Sequence, residues 1–392
     1  MNPGQSTRQQ SPHNKRIESV DLLKGWAVIV MIETHMVNAT VTQGIAESGL
    51  FQWLKFFNGL VAPSFLFASG LAYAVTTRRK VNDYLAFGKP LSRQLGRILV
   101  ILLVGYLLHL PKFSLARMLE GVTEAEWLVF LQVDILQCIA VSLLLMQMLL
   151  LVVRSERRMY SLLAVLTPII LAVTPSFWGE GVAGRLPAPL AAYVNGLHFS
   201  LFPLFPWSVF LFSGALTGYL FSTMRKTPEG DRRFMRILPA AGLALIAASF
   251  LLNPVAESVY ATYDYWRFGP PFVLLRLGIV MLLLSGMALY DRRIGVGSGS
   301  AVTLLGRESL LVYAVHLLLI YGDFGTYNFR KAVNHTYGYG EAAVATVALL
   351  LLMYGLAFFW SRIKRESPRL KTAITFAVPV VFVLIFLFGS GG

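Results

Sequence analysis

The chain has 392 residues, of which 56% are hydrophobic and only 14% charged, and its formal net charge is +14. Soluble domains carry about 25% charged residues, so a sizeable soluble domain is excluded and an all-α polytopic membrane protein is indicated, with β-barrel alternation absent. The basic excess gathers in alternate loops, which argues for membrane orientation rather than nucleic acid as a partner.

Residues 1–15 are polar, with Pro and Gln, and are expected to form a disordered cytoplasmic N-terminus. Residues 16–392 read as one transmembrane domain of about eleven spans, near 20–38, 55–77, 95–111, 128–153, 160–175, 200–222, 236–253, 270–290, 302–322, 341–361 and 373–389. No small-residue cleavage site follows the first apolar run, so that run is a span and not a signal peptide.

The first span, RIESVDLLKGWAVIVMIETHMVN, carries more polar groups than a lipid-facing helix tolerates. A charge near the bilayer centre costs about 2.5–3.5 kcal/mol even on lenient insertion scales. At 100° per residue, Asp21, Lys24, His35 and Asn38 fall along one stripe, while Glu33 points the other way. Lys24 and His35 share a face roughly 16 Å apart along the axis. Imidazole is the natural general base near neutral pH and can also accept an acyl group. A histidine satisfied by polar neighbours near a helix end is the plainer reading of His35, and the stripe favours function. Lys24 alone also fits a charge snorkelling at the inner end.

In the second span Pro63 removes a backbone donor. The third begins at Ser92–Arg97, where Arg93 and Arg97 stand at i and i+4, a spacing that suits bidentate phosphate binding and equally suits ordinary inner-loop charges. The single cysteine, Cys138, lies inside the fourth span and can form no internal disulfide. Phe205-Pro206-Trp207 interrupts the sixth. In the ninth, Gly306–His316 reads GRESLLVYAVH, which sets Ser309, Tyr313 and His316 on one face of a continuous helix, with His316 near mid-membrane. A hydrogen-bonded packing histidine is the competing reading there.

With the N-terminus inside, all but eight of the 34 Lys and Arg fall on the inner side; the eight are Lys55, Lys112, Arg117, Arg185, Arg267, Arg276, Arg330 and Lys331. Trp53, Trp127, Trp178 and Trp266 fall near outer helix ends, as an aromatic belt does. His13, His109, His198 and His335 lie in termini or near helix ends without an evident partner. There is no Gly-rich phosphate loop, no zinc-type His/Glu or Cys/His cluster and no Gly-x-Ser-x-Gly elbow, so no metal site is expected.

SVDLLKGWAVIVMIETH resembles the opening helix of the transmembrane acyltransferases, which include the acyltransferase-3 proteins and the heparan-α-glucosaminide N-acetyltransferase family. The matching residues are Asp21, Gly25 and His35, with Lys24 where Arg is usual. APSFLFASG (Ala62–Gly70), SRQLGRIL (Ser92–Leu99), VDILQCIAVSLL (Val133–Leu144), HFSLFPLFPW (His198–Trp207) and GRESLLVYAVH resemble further family blocks in the same order. Some relatives carry a reactive His in the loop after the first helix; this loop has none, which leaves His35 for that role. A long lumenal extension of the kind the animal enzymes carry is not expected from these residues.

The resemblance implies transfer of an acyl group, above all acetyl, from cytoplasmic acetyl-CoA to a sugar or glycan on the far side of the membrane. It implies His35 as base or acyl carrier, Asn38 orienting it or hydrogen-bonding the acceptor, and Tyr313 and His316 polarising the thioester or stabilising the oxyanion. Lys24, Arg93 and Arg97, with Asp21 and Ser309, would bind the donor. A homodimer is plausible by resemblance, and the short loops fit a multi-pass protein of a bacterial inner membrane. The competing class is a transporter or flippase of a glycan, lipid or small solute. It explains His35 and His316 but not a cytoplasmic cationic ring aligned with them.

Overall fold

A computed structural model describes residues 17–296, 299–322 and 328–388; the expected disorder of residues 1–15 lies outside these. The fold is 82% helical and has no strands among the described residues. The principal helices are α1 (Glu18–Thr40), α2 (Gly49–Asn58), α3 (Val61–Arg78), α4 (Lys89–Leu107), α5 (Ile135–Val153), α6 (Glu156–Phe177) and α7 (Leu204–Met224). They continue as α8 (Pro228–Val259), α9 (Pro270–Ile294), α10 (Ala301–Arg307), α11 (Ser309–Tyr321), α12 (Tyr339–Glu366) and α13 (Pro368–Phe388).

Nine of the described helical stretches are long and apolar enough to cross a bilayer, and α10 with α11 adds a tenth as one broken span. The eleventh expected span, α1, falls outside that set because Asp21, Lys24 and Glu33 load its most apolar stretch with charge. It nevertheless sits in the middle of the bundle, packed on α3, α9, α10, α11 and α12. Leu23, Ala27, Val28 and Ile32 are its fully buried side. At the edge, α13 buries none of its apolar window and packs chiefly on α12 and the short helix Leu115–Leu119.

Small residues set the closest approaches, as van der Waals packing demands where lipid supplies no hydrophobic drive. A Cβ on Gly25 would stand 1.9 Å from the Val302 carbonyl oxygen, and one on Gly306 would stand 2.1 Å from that of Asp21. These two glycines let α10 lie directly on α1. Gly25→Leu is therefore expected to destabilise the protein by about 1–3 kcal/mol through overpacking. A lowered thermal midpoint in detergent would show it; an unchanged one would contradict this contact.

The ninth span is not the continuous helix that was expected. It bends by 85° between Arg307 and Ser309. Arg307 reaches back to α1, donating from Nη2 to Glu18 at 2.8 Å and from Nε to Asp21 at 3.1 Å. Glu308, at the corner, pairs with Lys364 of α12. Each of these adjacent charges would be costly in lipid without its partner.

Two other boundaries moved for local reasons. The fourth span splits into a short helix, Glu124–Leu131, and α5, because Asp134 caps α5 by accepting the Ile135 N–H at 2.7 Å. Pro63 falls in the first turn of α3, where a missing N–H is harmless, so it is no interruption.

Candidate active site

The helix ends carrying Arg78, Arg154, Arg225 and Arg292 form a basic end of the bundle, where Asp231 bridges Arg225 and Arg292. Toward the opposite end lies a cavity of about 370 Å³. Its walls come from α1 (Thr34, His35), the α2–α3 junction (Asn58, Gly59), the start of α5 (Asp134) and α9 (Arg276). Tyr313 of α11 and three tryptophans, Trp178, Trp207 and Trp266, complete them.

The break at Phe205-Pro206-Trp207 shapes this cavity. Phe205 leaves helical geometry (φ −98°, ψ 111°), its freed carbonyl accepts the Trp178 indole N–H at 2.9 Å, and Trp207 turns into the wall. Trp178 is thus not a belt residue. It is only 6% exposed, whereas Trp53 is 70% exposed. The two blocks Val133–Leu144 and His198–Trp207 meet here as well: the Ser200 hydroxyl accepts the Val133 N–H at 2.9 Å, and the Val133 carbonyl accepts the N–H of Leu201 and Phe202 at 3.1 and 3.0 Å.

His35 Nδ1 lies 2.8 Å from His316 Nε2, with the rings stacked at an interplanar angle of 21°. His316 is fully buried, and its Nδ1 lies 2.8 Å from the Val312 carbonyl oxygen. A carbonyl only accepts, so His316 carries its proton on Nδ1, and its Nε2 accepts from His35 Nδ1–H. The remaining ring nitrogen, His35 Nε2, is left with a free lone pair on a residue lining the cavity. The Tyr321 hydroxyl donates to the His35 backbone carbonyl at 3.0 Å and ties α11 to α1 at this level.

A second chain of contacts runs beside the first. The Tyr313 hydroxyl donates to Asp134 Oδ2 at 2.9 Å, and His109 Nε2 lies 3.6 Å from the same oxygen. His109, just past the end of α4, does have a partner: its Nδ1–H donates to the Gly105 carbonyl at 2.8 Å. A phenol has one proton, and that of Tyr313 is committed to Asp134. Both ring nitrogens of His316 are likewise engaged. Neither residue has a spare donor for a thioester or an oxyanion; the contacts instead hold His35 and Asp134 in place.

The other expected site residues are dispersed. Asn38 is exposed and makes no hydrogen bond with the imidazole; one turn beyond His35, α1 has left the cavity wall, and His316 orients the ring instead. Lys24 is half-buried on α1, and Asp21 is engaged by Arg307. Ser309 opens α11 beside the corner, away from the cavity lining. Arg93 and Arg97 are exposed on α4, which packs chiefly on α5, whereas Lys24 lies on α1.

Asp134 and Arg276 escaped the sequence reading. Asp134 precedes an apolar run, where it reads as a simple cap. Arg276 was counted with the outer charges, although a charge six residues inside PPFVLLRLGIV carries the signal of an intramembrane functional residue.

The family model for heparan-alpha-glucosaminide N-acetyltransferase, catalytic, matches residues 16–248. The matched segment holds His35, Asp134 and the Ser200–Trp207 turn, while Arg276, Tyr313 and His316 lie beyond it. No curated protein matches the chain.

Proposed function

Because this chain belongs to the heparan-α-glucosaminide N-acetyltransferase catalytic family, a family of multi-pass membrane acetyltransferases, we propose that it carries acetyl from acetyl-CoA, entering at the basic end, to a sugar held in the tryptophan-walled cavity. The observation that supports this most is the His35–His316 contact, which leaves one basic nitrogen free on a cavity-lining residue. In direct transfer, the acceptor nitrogen or oxygen attacks the thioester carbonyl carbon while its proton passes to His35 Nε2. The C–S bond then breaks, and the leaving CoA thiolate takes the proton back. In a two-step route Nε2 attacks the thioester carbon first and the C–S bond breaks to release CoA thiolate; the acceptor then attacks the acyl carbon, the acyl–Nε2 bond breaks to restore the imidazole, and the acceptor's proton ends on the thiolate.

The donor's polyanionic head belongs at the basic end, with Lys24 the cation on the helix of His35 and Arg93 and Arg97 adding to the general positive field. Unpaired polar atoms in the interior support a path for the pantetheine arm. Thr77 of α3, Gln147 of α5 and Tyr160 of α6 hold buried polar atoms without hydrogen-bond partners, and the Tyr73 hydroxyl donates to Gln147 Oε1 at 3.1 Å. Amide groups along such an arm supply both donors and acceptors.

Purified protein in detergent is expected to release CoA from acetyl-CoA at a rate that rises with added sugar and yields acetylated sugar. Sugar uptake into proteoliposomes without any acetylation would overturn the proposal in favour of a transporter.

A further inference from the structure

We propose that Asp134, backed by His109, is a second base of the site and takes up the proton that an amine brings with it as an ammonium. This rests on the acetyl transfer proposed above. An ammonium nitrogen has no lone pair, so it must lose one proton before it attacks the thioester and another as it attacks. His35 Nε2 receives the second and passes it to the CoA thiolate. The first needs a separate destination, because an ammonium and a thioester give an amide, a thiol and one free proton.

Asp134 is the one carboxylate lining the cavity among the described residues. Its Oδ1 accepts the Ile135 N–H at 2.7 Å and its Oδ2 accepts the Tyr313 hydroxyl at 2.9 Å, which leaves about two of its four lone-pair sites open. Behind it, His109 Nδ1 is held by the Gly105 carbonyl, which only accepts, so the proton of the neutral ring sits on Nδ1. The bare Nε2 then faces Asp134 Oδ2 at 3.6 Å, too far for a hydrogen bond. Two acceptors facing each other repel until one proton lies between them, and with it they become an imidazolium–carboxylate pair. In the step, an N–H bond of the ammonium breaks and leaves its electrons on nitrogen. The proton bonds to an Asp134 oxygen and moves on to His109 Nε2. Asp134 keeps 13% and His109 14% of its side-chain surface exposed, and His109 follows the outer end of α4, where the proton can pass to water. The other titratable or charged groups around the pair are Tyr313, Cys138 and the cavity's Arg267 and Arg276, none of which is a base.

Initial rates in detergent are compared for two nucleophiles at mildly acid pH: glucosamine, which is then an ammonium, and a sugar bearing an aminooxy group, which is neutral. Asp134→Asn keeps Oδ1 for the Ile135 cap and turns an N–H toward His109. It is expected to lower transfer to glucosamine about 10²-fold more than transfer to the aminooxy sugar, the lower end of what a positioned base contributes. That gap should close as the pH is raised and the free amine becomes abundant. His109→Gln cannot hold the proton and is expected to repeat the pattern; lying off the cavity wall, it carries the test where Asp134→Asn does not fold. An equal loss for both nucleophiles, or a gap that persists at alkaline pH, would overturn the inference and leave the acetyl transfer standing. A wild type that acetylates neither nucleophile would overturn both.

Discussion

Replacing His35 with Ala is expected to lower acetyl transfer by about 10²–10⁴-fold, the usual contribution of a positioned general base. Donor binding and the folded state should survive. The His35 side chain is half-buried at a cavity wall, and the Tyr321 hydroxyl that ties α11 to α1 grips the backbone carbonyl of residue 35, which the substitution leaves in place. A variant that keeps near-normal transfer would remove His35 from the chemistry. Rapid quenching with labelled acetyl-CoA and no acceptor separates the two routes: label trapped on His35 of the wild type marks the two-step path, and its absence marks direct attack.

The second large effect is expected at His316, which touches His35 and not the cavity. His316→Leu leaves the His35 Nδ1–H without an acceptor in a dry setting, so the ring is free to rotate or to change tautomer. Loss of an outer partner typically costs a working histidine about 10–100-fold, and a wrong tautomer costs up to about 10⁴-fold. The loss should fall on kcat, with little change in the KM for acetyl-CoA. His316→Gln offers an amide oxygen at similar reach and is expected to restore part of the rate. Equal activity in the Leu and Gln variants would refute a positioning role, because a merely space-filling residue would not distinguish them.

How far the site could be read from the residues depended on whether the signal was local. Intramembrane polar groups are expensive wherever they occur, so His35, His316 and Tyr313 stood out from their own helices, and each reaches the centre of the molecule. The same rule covered Arg276, but only if its depth in the span was weighed before its place in the loop charge pattern. Asn38, Arg93 and Arg97 were reached through resemblance and helical spacing alone. Spacing places a residue on a face of its helix and leaves open what that face meets; Asn38 meets the exterior, and the two arginines lie on α4, which packs chiefly on α5.

The primary structure by itself determined the class, the run of apolar spans and the polar stripe of the first helix, because composition and a period of 3.6 residues act within a single helix. The tertiary structure alone decided the partnerships. His35 meets His316 across 281 positions of chain, and Tyr313 meets Asp134 across 179. At the bend, Arg307 pairs with carboxylates on α1 and Glu308 with a lysine on α12. Such pairings follow from which helices approach closely, as Gly25 and Gly306 allow α1 and α10 to do. That choice is a property of the whole packed bundle, where each contact is fixed jointly by steric fit and by the need to satisfy every buried charge.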